Sequence, residues 1–156
     1  MIVLAIDPGS TESAWLVYNG ATGGIRAHAK TTNEQLLEQL RVGPSPDVDI
    51  VVIEQVESYG MAVGREVFDT VWWAGRFTEA AQPTPVVQLP RRAVKLAICH
   101  DSRARDANIR AALLDRFGGS AAKGTKRSPG PLYGIAGDVW SALAIAVTYA
   151  DQEAAA

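Results

Sequence analysis

Three carboxylates stand where a globular chain gains little from having them. Asp7 closes the run MIVLAID, Glu54 closes VDIVVIE, and Asp138 stands just ahead of VWSALAIAV. The first two runs are short, continuous and rich in β-branched residues, the pattern of fully buried strands. Each acid would then sit at the end of a buried strand, where an unpaired charge is expensive. Asp7 precedes Pro-Gly-Ser and could be a turn former, and Asp138 could equally be a helix N-cap. Glu54 has poor strand propensity and no sequence-local cation, so its position calls for a reason. If the three acids converge, their like charges push one another toward protonation unless divalent cations neutralise them. An all-oxygen set without a matching group of Cys or His suits Mg²⁺ or Mn²⁺ rather than zinc. Two such ions about 3.5–4 Å apart clamp a phosphodiester for in-line hydrolysis, one activating water and the other stabilising the leaving oxygen.

The elements that would have to bring these acids together can be read along the chain. Residues 2–6, 14–18 and 25–31 read as strands separated by PGSTES and NGATGG, whose turn chemistry and brevity predict an antiparallel meander. Asn33 is then expected to cap a short helix with Leu36, Leu37 and Leu40 on one face, ended by GPSP. Residues 48–56 form the next strand, parallel to the first because a helical crossover leads to it. Residues 63–81 read as the longest helix, with Val67, Thr70, Val71, Ala74 and Phe77 facing inward. Trp72 and Trp73 are adjacent and so point about 100° apart, which leaves one of them off that face. A strand over 85–89 and helices over 90–98, 104–117 and 138–149 complete the pattern. SAAKGTKRSPGPLYG is a long Gly/Pro/Lys-rich loop, too long to be only a connection. The 156 residues are expected to form one domain over 1–150 with a frayed tail at 151–156. The fold class is α/β: a five-stranded mixed sheet flanked by helices, a pattern that fits the ribonuclease H-like fold.

Charge is distributed unevenly. Residues 91–127 hold ten Lys or Arg against three Asp or Glu, a local balance of +7 in a chain whose formal net charge is −2. A basic block within an otherwise acidic chain suggests a polyanion partner, the bland alternative being a solvated helix face and loop. Arg91, Arg92 and Lys95 lie on or beside one helix, Arg103, Arg105 and Arg110 flank the next, and Lys123, Lys126 and Arg127 occupy the loop. Contacts to a phosphate backbone need reach and charge but no fixed spacing, so this distribution suits a backbone grip more than base readout. Cys99 is the only cysteine, no apolar run approaches the roughly 18 residues of a membrane span, and nothing basic precedes the first strand. A reducing, cytoplasmic setting is expected. His28 and His100 are isolated and read as surface or satisfied core residues rather than ligands.

IVLAIDPGS, VVIEQV and GDVWSALAIAVTYA together resemble the RuvC-type Holliday junction resolvases. SYGMAVGREVF, VKLAICHDSRARDANIRAALLDRFG and SPGPLYG look especially like their phage-encoded members. DPGS alone is shared with actin-like ATPases and sugar kinases; the ordered set of motifs, spanning nearly the whole chain, is far more specific. The resemblance implies that Asp7, Glu54 and Asp138 hold the metals, in place of the family's frequent fourth ligand there is Ile135, and Asp101 is better explained as a cap. It implies that Lys95 lies near the scissile phosphate. Tyr59, just beyond Glu54, could stack on an unpaired base or simply pack. Four-way and other branched DNA would be cut by paired nicks leaving 5′-phosphate and 3′-hydroxyl ends, as a phage would use before packaging. The junction's two-fold symmetry calls for a homodimer, with the helix of Trp72 and Trp73 as interface. The alternatives are a nuclease for flaps, forks or RNA–DNA hybrids, a non-cutting junction-binding module, and an ATPase.

Overall fold

A computed structural model describes residues 1–58 and 60–156. Five strands form one mixed sheet in the order β3-β2-β1-β4-β5. They are β1 (Ile2–Asp7), β2 (Glu12–Asn19), β3 (Gly24–Thr32), β4 (Ile50–Gln55) and β5 (Val86–Pro90). The first three form the antiparallel meander, and β4 and β5 join as parallel neighbours. The five helices are α1 (Asn33–Val42), α2 (Arg65–Ala80), α3 (Arg91–Cys99), α4 (Asp106–Arg116) and α5 (Val139–Ala155).

Alternation along the strands splits the apolar residues between two layers. One face packs Leu4, Ile6, Val51 and Ile53 against Leu36, Leu37 and Leu40 of α1 and Trp73, Ala74 and Phe77 of α2. The opposite face packs Val3, Ala5, Leu16 and Val52 against α3, α4 and α5, with Leu143 and Ile145 of α5 among the fully buried side chains. The second layer is the one that carries the carboxylates.

Several local expectations change. Thr32, rather than Asn33, caps α1, accepting from Gln35 N while the Gln35 side chain accepts from Thr32 N, a reciprocal capping box. Asn33 is fully buried and bonded instead to the turn after β1: Ser13 Oγ donates to its Oδ1 at 2.6 Å, and its Nδ2 donates to Gly9 O at 2.9 Å. Gly9 is required here, because a Cβ would come within 2.2 Å of Glu12 O. α2 turns Trp73 inward and leaves Val71 about half exposed, so its buried stripe is Trp73, Ala74, Phe77 and Ala80. α5, with 17 residues, is longer than the 16-residue α2. It runs through Ala155 across most of the expected tail, where Arg116 donates to both oxygens of Asp151 at 2.5 and 2.8 Å. The long loop contains a turn of 3₁₀ helix over Gly119–Lys123 and a Gly124–Pro129 bridge, anchored by buried Ala122 and Leu132. No helix among the described residues is long and apolar enough to cross a membrane.

Candidate active site

Strand register sets the site. Ile6 pairs with Ile53, so the next residues of these parallel strands, Asp7 and Glu54, lie side by side and on the same face. Glu54 pairs in turn with Leu89 of β5, Asp7 with Ala14 of β2, and Ala14 with Lys30 of β3. One row crossing the whole sheet therefore reads Lys30, Ala14, Asp7, Glu54, Leu89. Directly opposed residues point to one face, and here it is the face covered by α3, α4 and α5. Asp138 heads α5, which packs across β1 and β2.

Asp7 is not a turn former. The turn behind it is closed by Ser13 and Asn33, with Gly9 N donating to Ser13 Oγ at 3.1 Å. Its carboxyl faces the second layer, where burial first and then the negative charge of Glu54 raise its pKa from 3.8 to about 7. Asp138 pushes the same way, while Arg91 and a hydrogen bond with Ser141 oppose. Near neutral pH such a carboxyl is poised between holding a proton and holding a cation.

Glu54 has a basic partner that the sequence does not put beside it. Arg91 Nη1 donates to Glu54 Oε2 at 2.8 Å, and Arg91 Nη2 donates to Asp106 Oδ1 at 2.5 Å. Only 13% of the Glu54 side chain is exposed, and burial raises its pKa against the pull of Arg91 and Lys95. Arg91, Arg92, Lys95 and Ser102 line a cleft of about 360 Å³ at the start of α3. That cleft joins three cations to the Glu54 end of the row, a setting for a phosphate oxygen.

Asp138 is not capping α5. No side-chain cap bond is present, because the first N–H groups of α5 turn back to backbone carbonyls: Val139 to Ala136, Trp140 to Gly137 and Ser141 to Asp138. The carboxylate instead accepts from Lys30 Nζ at 2.7 Å. Among the described residues no three His, Cys, Asp or Glu side chains stand grouped to hold one ion. The donor chemistry nonetheless fits a hard divalent cation: carboxylate oxygens only, with Asp7 raised to about 7 and making no ion pair among the described residues. What the arrangement lacks is freedom of the other two acids, since Arg91 holds Glu54 and Lys30 holds Asp138.

No protein-family model matches the sequence, and no curated protein matches it. Solved structures do. The RuvC structure of Thermus thermophilus superposes with a TM-score of 0.71 at 20% identity, covering 99% of this chain and 96% of that one. The fold is that of RuvC. The Thermus thermophilus RuvC in complex with a Holliday junction substrate gives a TM-score of 0.69 at 21% identity, over 98% and 94% of the two chains.

On this RuvC fold the remaining candidate residues fall into distinct places. Arg92, Arg103 and Arg105 are exposed around α3 and the start of α4, and Lys123, Lys126 and Arg127 are exposed on the loop before α5. Arg91, expected on a DNA backbone, is instead half-buried between Glu54 and Asp106. Arg110 stacks over Trp140, 5.6 Å from the ring centre. Asp101, expected to cap a helix, instead accepts from Arg103 N at 2.9 Å in the turn ahead of α4, whose N-cap position is Arg105. Ile135, at the position of a possible fourth ligand, is a buried core residue. His28 packs near Gly134, and His100 ends α3 in the left-handed conformation. Tyr59 lies outside the described residues. Trp73 is buried and Trp72 is 58% exposed, with Arg76 against both rings at 4.4 and 4.5 Å.

Sequence reasoning missed Lys30 and the bridging role of Arg91. The signal for Lys30 was faint: a lysine in a strand-like segment with no local acid. It acquires meaning only once the two antiparallel registers place it in the row of Asp7.

Proposed function

We propose that this protein is a divalent-metal-dependent endonuclease that resolves four-way DNA junctions by paired nicks. The observation that carries the reading is the row of Asp7 and Glu54 at the ends of two parallel strands, beneath the head of α5, on a fold matched along its length by a RuvC bound to a Holliday junction. Asp7, Glu54 and Asp138 would hold the cations, two per site. When bound, they supply an activated water at neutral pH and a counter-charge for the leaving oxygen. Mg²⁺ is the natural ion and Mn²⁺ its substitute.

The chain's own residues bind and orient. Lys95 and Arg92 face the cleft beside Glu54, where they can hold the scissile phosphate and stabilise charge developing on its oxygens. Arg103, Arg105, Lys123, Lys126 and Arg127 extend the basic surface along the flanking backbone, so affinity falls as salt rises. Nicks would leave 5′-phosphate and 3′-hydroxyl ends that a ligase can seal.

A homodimer supplies one site to each of two strands. Its interface would be α2, on which Phe68, Val71 and Trp72 are exposed by 64%, 49% and 58% at helical spacing. Such a contiguous apolar strip on one helix is unfavourable in water unless covered. Arg76, stacked on Trp72, would sit within that interface.

Cleavage of a synthetic four-way junction with Mg²⁺ or Ca²⁺, mapped on all four strands, tests the reading. Symmetric nicks in two opposing strands with Mg²⁺ are expected. Preference for flaps, forks or RNA–DNA hybrids would reject the substrate, and junction binding without nicking under every divalent ion would leave a binding module.

A further inference from the structure

We propose that Lys30 is the built-in counter-ion of Asp138, a positioning residue that keeps this carboxylate in place before metal arrives and that a divalent cation has to displace. The inference deepens the function proposed above and rests on its metal-site reading.

Three features of the molecule carry it. Lys30 lies in the same cross-sheet row as Asp7 and Glu54, with only Ala14 between it and Asp7. Adjacent strands stand about 4.8 Å apart, so a lysine two strands away can reach over an alanine to the centre of the row. Its ammonium is 2.7 Å from Asp138 Oδ2, a charge-assisted contact that uses the acid's side chain in place of helix capping. Neither partner is locked away, since the Lys30 side chain is 44% and that of Asp138 56% exposed.

The contrast with Arg91 separates the two basic residues. Arg91 is 27% exposed and bridges two carboxylates through separate nitrogens, so it is fixed by geometry. Lys30 makes its one close contact, to Asp138, on a flexible arm from an edge strand. It also has somewhere to go, because Glu12 Oε2 stands 3.9 Å from its Nζ. A cation entering between Asp7 and Asp138 would repel the ammonium toward Glu12 and take over the carboxylate. Lys30 therefore has two alternative partners, and ion binding selects between them. Without metal, Lys30 offsets the mutual repulsion of the acid row; with metal, that task passes to the ion.

The test is Mn²⁺ binding to the DNA-free full chain, followed by electron paramagnetic resonance near neutral pH. A single charge about 6 Å from a divalent ion, with both largely hydrated as the exposure of Lys30 and Asp138 implies and partly screened by salt, changes affinity by about three- to tenfold. Lys30→Met should bind Mn²⁺ tighter by that factor. Lys30→Arg, which keeps the charge, should return affinity to near the native value. Arg26→Met, on the same strand but paired with Asp47 away from the acids, should leave it unchanged. The melting temperature of each variant checks that the fold is retained, and Lys30→Gln serves if the methionine variant is poorly folded. Native-like or weaker binding by the neutral Lys30 variants would overturn the inference while leaving the metal site standing. An equal gain in Arg26→Met would overturn it too, by reducing the effect to net charge. No binding by any variant would overturn the metal site itself.

Discussion

Replacing Asp7 by Asn should make the metal-free protein more stable while removing metal-dependent cleavage. The reason is the environment of the carboxyl: burial and the neighbouring Glu54 raise its pKa from 3.8 to about 7. An acid that holds its proton more tightly in the folded than in the unfolded chain costs stability as pH rises, because the unfolded chain gives up the proton first. The loss begins near the unfolded pKa of about 4, grows up to about 7, and is constant above it. A shift of about three units corresponds to at most about 4 kcal/mol, and partial access of water to the strand end reduces the realised gain to about 1–3 kcal/mol. Asn removes the ionisation while keeping the shape and an oxygen that can accept from Ser141. Urea unfolding in the presence of a chelator should show Asp7→Asn ahead by that amount at about pH 8, and nearly level with the native chain at about pH 4. A variant no more stable than the native protein at high pH, or a gap independent of pH, would refute the idea that Asp7 is a strained carboxyl awaiting a cation.

Other outcomes follow from the same geometry. Arg91→Met should cost about 2–3 kcal/mol at about pH 8, because it leaves Glu54 buried and unpaired. The deficit should shrink as pH falls, because burial raises the Glu54 pKa and favours its neutral form, and adding Glu54→Gln should recover much of it; paired unfolding curves at about pH 8 and at acid pH check this. Phe68→Glu with Trp72→Glu should yield a folded monomer by analytical ultracentrifugation, since both side chains lie on the exposed strip of α2. A native chain already monomeric at assay concentrations would reject α2 as the interface. By contrast, Phe77→Ala on the buried face of that helix should lower stability by about 3–5 kcal/mol, measured by urea unfolding.

Local pattern carried much of the architecture. The β-branched runs ending in Asp7 and Glu54, the turn-rich breaks of the meander and the helical spacing of Leu36, Leu37 and Leu40 depend on neighbours within a few residues, and one chain displays such periodicity directly. The ordered motifs likewise pointed to the fold that the RuvC structures share. Partnership across the sheet is a different kind of information. Thr32 took the cap from Asn33 because Asn33 was needed by Ser13 and Gly9 at the turn behind Asp7. Trp73 rather than Val71 entered the core, where its ring packs against Phe77 with the centroids 5.8 Å apart.

The sequence by itself determined that two strands end in acids, that a third acid precedes the last helix, and that positive charge gathers between β5 and α5. Only the tertiary structure decided which charges meet: Arg91 with Glu54 and Asp106, and Lys30 with Asp138. Those pairings depend on strand register and on where a helix end comes to rest. Register is fixed by the summed burial of two apolar layers, so no short stretch of residues encodes it.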